Sequence, residues 1–114
     1  MVLKHLILFF GIFLFVSCSN HERGFEKRNN KNSSLEIDAA EAKIVYSMQC
    51  ASCHGENGKL KFADAADLSV SKLPLDEVKQ MIETGNDKGM IPYTDILSPG
   101  EIKGVSKFVL TLRK

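Results

Sequence analysis

The chain has 114 residues, 44% of them hydrophobic and 25% charged, with a formal net charge of +1. That length allows one small domain, and the near-neutral charge argues against a nucleic-acid binder, which needs a clustered basic face. The average conceals a split: residues 1–17 hold 13 hydrophobic residues and four of the seven Phe, leaving 37 hydrophobic residues among the other 97. The remainder is lean for its size, so a disulfide, metal or cofactor is expected to supplement the core.

Lys4 precedes an apolar run, Leu6 to Val16, which ends at Ser17 and Cys18. A basic start, a short apolar core and a small residue before the cleavage point predict a signal peptide over residues 1–17. The run is too short to span a bilayer comfortably, which takes about 20 helical residues. The stretch Leu14-Phe15-Val16-Ser17-Cys18 resembles a bacterial lipobox, with Phe15 standing where Leu is usual. The resemblance implies cleavage before Cys18 and its acylation, anchoring the exported chain on the periplasmic side of a bacterial membrane. The competing reading is a plain signal or a short uncleaved anchor, with Cys18 a spectator.

Residues 18–37 are polar, mixed in charge and end in Asn/Ser-rich sequence without helical or strand period. They are expected to form a tether spanning on the order of 25 Å. His21 and Phe25 are isolated there and carry no assigned role.

The remaining domain, residues 38–114, reads as helical. Asp38 and Glu41 make a D-x-x-E start for a helix running to Cys50 without Gly or Pro. It leads into Cys50-Ala51-Ser52-Cys53-His54, the C-x-x-C-H pattern of covalent haem attachment. Two thiols three positions apart at a helix end can reach the two vinyl groups on one porphyrin edge. The adjacent imidazole then reaches the iron from the proximal side. A redox dithiol would normally accompany a βαβ pattern, which is absent. Zinc would need further ligands, yet the other His are His5 and His21, in the signal and tether.

A short helix is conceivable within Lys59–Asp67. A better-marked helix is predicted over Leu75–Thr84, with Asp76 and Glu77 in its first turn, Gly85 as a left-handed stop, and an apolar stripe of Val78, Met81 and Ile82. The last helix has Ser98 as N-cap, Pro99 at its first position and Glu101 completing an S-x-x-E box. Ile102, Val105, Val109 and Leu112 recur along it at helical spacing, and Lys107, Arg113 and Lys114 lie toward its negative end. No useful length alternates with period two, so the domain is predicted to be all-α.

The stretch from Ala42 through Cys50-Ala51-Ser52-Cys53-His54 to Gly55, the Gly89-Met90-Ile91-Pro92-Tyr93 segment and the closing helix together resemble the small bacterial class I c-type cytochromes. The resemblance covers roughly residues 38–114. It implies a cytochrome c-like domain of three to four helices wrapped around one haem c, with Cys50 and Cys53 as thioether anchors and His54 as proximal iron ligand. It further implies that the first and last helices cross, with Ala42 at the contact and Tyr46 and Phe108 filling it.

A His/Met iron is closed to small molecules and suits electron transfer. Met1 lies in the signal, Met48 is tied to the proximal helix, and Met81 falls on a core stripe, which leaves Met90 as the distal ligand. In the family the ligating Met usually stands directly before the Pro, where this chain has Ile91. A shift by one residue in an extended segment can turn a side chain to the other face. Met90 therefore either ligates iron, helped by the freedom of Gly89, or packs beside the haem while the iron is five-coordinate or takes water. No Pro lies between His54 and Pro74 to supply the carbonyl that commonly orients the proximal ring in the family. Tyr93, and less so Ser71, are candidates for a haem propionate, against a plain loop role.

The expected function is electron transfer by a membrane-tethered monohaem cytochrome, not an enzyme, exchanging electrons with a protein donor and acceptor. The alternative is a haem enzyme or small-gas sensor with an open sixth position. A haem subunit of a larger dehydrogenase or oxidase shares the chemistry and differs in partner. Lys59, Lys61 and Lys88 either steer an acidic partner or are ordinary solvated lysines.

Overall fold

A computed structural model of the chain describes residues 34–114. The expected signal peptide, Cys18 and most of the expected tether lie outside the described residues.

The first helix, α1 (Ala39–Gln49), begins as its sequence predicts. Asp38 Oδ1 accepts from the N–H groups of Ala40 and Glu41, both at 2.9 Å, and Glu41 returns a carboxylate oxygen to the Asp38 N–H. Cys50 closes α1 by donating its N–H to the Tyr46 carbonyl at 2.8 Å. One further turn, α2 (Ala51–His54), follows and stops at Gly55. The segment proposed as a short helix contains one 3-10 turn, Phe62–Asp64, and a second follows at Leu68–Val70. Helix α3 (Leu75–Thr84) carries Asp76 and Glu77 in its first turn and ends at Gly85, where φ is +65° and ψ is −163°. The stop uses the positive φ of glycine, but the chain leaves in an extended direction rather than a left-handed turn. Helix α4 (Pro99–Thr111) starts on the complete Ser98/Glu101 capping box. Among the described residues there is no strand, so the domain is all-α as expected.

The core joins three helices. Tyr46 of α1, Val78 and Ile82 of α3, and Ile102, Val105 and Val109 of α4 are buried together with Leu97. The predicted stripes are thus the buried ones, with Met81 and Leu112 at their half-buried margins. Helices α1 and α4 pack closely: the Tyr46 and Phe108 rings stand 5.1 Å apart at 49°, beside buried Ala42. Gly104 permits the approach of the chain before α1, since a Cβ there would lie 2.4 Å from Ile37 Cγ1. That contact is invisible to helical periodicity, which counts apolar side chains and passes over glycine.

The basic residues of α4 do not serve its negative end as expected, and no basic side chain occupies its last turn. Lys103 and Lys107 grip the Glu36 carboxylate at 2.9 and 2.5 Å, tying the incoming chain to α4. Arg113 Nη2 instead donates to the Leu73 carbonyl at 2.6 Å. The C-terminus is thereby fastened to the connection between α2 and α3.

Candidate haem site

The C-x-x-C-H turn is held at both ends by tyrosines. Tyr93 donates its hydroxyl to the Gln49 carbonyl at 2.9 Å, and Tyr46 donates to the Gly55 carbonyl at 2.7 Å. Both acceptors are carbonyls at helix ends, which lack intrahelical partners. Burial raises both phenols, Tyr46 to about 12, so each remains a donor at neutral pH. The hydroxyl of Tyr93, a candidate for a haem propionate, donates its proton to the backbone that carries the motif.

Within that turn the two cysteines differ. Cys50 packs against the core, and burial, followed by the neighbouring Cys53, pushes its thiol up to about 11. Cys53 is exposed, and neither thiol is in a disulfide. In a protein with haem attached these sulfur atoms would be thioethers and carry no proton. Among the described residues no group of three or more His, Cys, Asp or Glu is placed to hold a metal ion, so the tetrahedral set a zinc site needs is not among them.

The His54 ring has a partner that the sequence did not reveal. Its Nδ1 lies 3.0 Å from the Ala66 carbonyl oxygen. A carbonyl only accepts, so Nδ1 carries a proton, and in the neutral ring Nε2 is the nitrogen left to bind a metal. The loop reaches this position through backbone that few residues favour: Lys61, Ala63 and Asp64 have φ of 55°, 51° and 63°. Asp67 steadies its far side, accepting from Ser69 Oγ at 2.6 Å and pairing with Lys61 at 3.6 Å.

Met90 is half-buried and packs against the same core cluster as Cys50, Ala51, Leu68 and Tyr93, whereas Ile91 is 54% exposed. Of the other methionines, Met48 is 70% exposed on α1, and the Met81 sulfur accepts from Asn86 Nδ2 at 3.5 Å. The connections flanking α3 carry six large apolar side chains left exposed by the protein: Leu60, Phe62, Val70, Leu73, Ile91 and Ile96. Exposed apolar side chains in this number are what a large apolar group bound along these connections would cover. Together with a donor set of two free thiols and an imidazole with Nε2 available, these residues fit haem c.

The segments that carry the candidate steering lysines are mixed in charge. Residues 55–74 and 85–98 contain Lys59, Lys61, Lys72 and Lys88, but also Glu56, Asp64, Asp67, Asp87 and Asp95. Lys61 is moreover paired with Asp67.

Residues 37–109, more than half of the chain, match the family model for cytochrome c oxidase, cbb3-type, subunit III. No curated protein and no solved structure shows a significant match. Motif, helical frame and family model agree, and the chain belongs to this cytochrome c family, whose domain carries covalently attached haem c and transfers electrons.

Proposed function

We propose that the chain is a membrane-tethered monohaem electron carrier in which Cys50 and Cys53 would anchor the haem as thioethers and His54 and Met90 would ligate its iron. Haem c supplies the one-electron couple. The protein's part is to hold that group still and keep water and small molecules from it. His54, with Nδ1 donated to Ala66, presents Nε2 in a fixed ring orientation. Tyr46 and Tyr93 immobilise the turn bearing the anchors, and Met90 would supply a soft sulfur donor from the connection between α3 and α4.

The observation that carries the closed-site reading is the contrast between Met90, packed on the core cluster, and exposed Ile91. It favours Met90 as ligand although the residue stands one place earlier than the family's usual Met. The test is the ferric absorption spectrum of matured protein: a Met–iron charge-transfer band is expected, and Met90→Ala should remove it. A Met90→Ala spectrum identical to wild type would defeat the assignment.

The tether rests on the lipobox-like sequence before Cys18. Metabolic labelling with a radioactive fatty acid is expected to mark the wild-type protein and not Cys18→Ala. A wild-type protein that takes up no label would refute lipid anchoring. The family description names an oxidase subunit, which favours a partner within a respiratory assembly as one end of the electron path.

A further inference from the structure

Asn86 stands four residues before Met90 and engages its backbone twice. Its own N–H donates to the Met90 carbonyl at 2.9 Å, and its side-chain Oδ1 accepts from the Met90 N–H at 3.2 Å. The same oxygen accepts from the Lys88 N–H at 2.9 Å, while Nδ2 donates to the Met81 sulfur at 3.5 Å. The orientation of the amide follows from its partners. Two N–H groups can only donate, so the oxygen must face them, and the nitrogen is left for the sulfur.

The surrounding backbone closes the arrangement. Gly85 has φ of +65°, and a Cβ there would stand 2.3 Å from the Met90 carbonyl oxygen and 2.8 Å from Pro92 N. The loop thus rests directly on the end of α3. Beyond it the Tyr93 N–H returns to the Ile82 carbonyl at 3.0 Å. Gly89, with φ of +105° and open space around it, is the one point where this loop could readily rotate. Hydrogen bonds to both the N–H and the carbonyl of Met90 fix the peptide planes on either side of its Cα. They therefore set the direction in which its side chain leaves the backbone.

We propose that Asn86 is the positioning residue for the distal side of the iron, clamping Met90 so that its thioether is presented to the sixth position. The proposal rests on Met90 being the distal ligand. It also accounts for how a methionine one residue out of the family's usual register can serve. The shift that would turn the side chain away is countered by a clamp on the residue itself.

The test compares haem-loaded wild type, Asn86→Ala, Asn86→Asp and Met90→Ala by ferric spectrum and by carbon monoxide titration of the reduced form. Asn86→Ala is expected to weaken the Met–iron band and to raise carbon monoxide affinity about tenfold, the scale set by lost neutral hydrogen bonds. Asn86→Asp keeps the oxygen that receives the Met90 and Lys88 N–H groups, and is expected to restore both readouts. If Met90→Ala abolishes the band while Asn86→Ala matches wild type, the clamp is wrong and the ligand assignment stands. If Met90→Ala leaves the band intact, the ligand assignment fails and takes the clamp with it. Should Asn86→Ala not mature, Asn86→Asp still decides: carbon monoxide binding as ready as in Met90→Ala overturns the proposal.

Discussion

His54 and Ala66 are joined by a hydrogen bond of 3.0 Å between the imidazole Nδ1 and a backbone carbonyl. Any residue at position 66 offers that carbonyl, so the interaction is set by the path of the loop and not by a side chain. Ala65, with φ −58° and ψ 141°, already has the extended backbone that a following proline requires. Ala66→Pro is therefore expected to keep the bond and to stabilise the protein by about 0.5 kcal/mol through reduced freedom of the unfolded chain. Denaturant unfolding of the haem-loaded variant checks this; a loss of stability with an altered spectrum would show that the carbonyl had moved.

The Glu36 carboxylate is held below the usual carboxylate range by its hydrogen bonds to Lys107 and then Lys103. A carboxyl group with a lowered folded pKa adds stability above its unfolded value and loses it as pH falls through the folded value. Glu36→Gln should thus melt below wild type at neutral pH, with the gap closing in acid below the ordinary value of 4.5. A gap that persists unchanged at acid pH would mean that the ion pairs are not its source.

Tyr93→Phe removes the hydroxyl bonded to Gln49 O, and Tyr46→Phe the one bonded to Gly55 O. Each leaves a helix-end carbonyl without that donor, at a cost of about 0.5–1.5 kcal/mol. Because the two bonds hold opposite ends of one turn, the double variant is expected to lose more than the sum of the singles. Chemical denaturation of all four proteins forms the cycle; strict additivity would show that the two bonds act independently.

The hydrophobic content outside residues 1–17 remains low, and six large apolar side chains stay exposed on the connections flanking α3. Haem attachment should therefore supply much of the missing apolar contact. A Cys50→Ala/Cys53→Ala variant prepared without haem is expected to melt broadly and to bind a hydrophobic dye. A sharp melt close to that of the haem-loaded protein would contradict the inference.

Much of the frame was legible because it is written in local chemistry. The Asp38/Glu41 and Ser98/Glu101 boxes, the stop at Gly85 and the stripes of α3 and α4 depend on residues a few positions apart. The site was legible only where side chains declare their chemistry, as Cys50, Cys53 and His54 do. The Ala66 carbonyl leaves no mark in a side-chain pattern, and Gly104 matters through a contact with Ile37 far away in sequence. Asn86 had a signal in the polar Gly85-Asn86-Asp87 turn, but its hold on Met90 depends on how the loop folds back over α3. Lys107 shows the converse: its place near a helix end indicated a dipole partner, whereas Glu36 claims it.

The central claim, a covalently held haem closed on both faces, is tested most directly by the absorption spectrum of the matured, reduced protein before and after carbon monoxide. The His54/Met90 account predicts a c-type spectrum that carbon monoxide leaves unchanged at neutral pH. A reduced protein whose spectrum shifts at once to that of a carbon monoxide complex would contradict it.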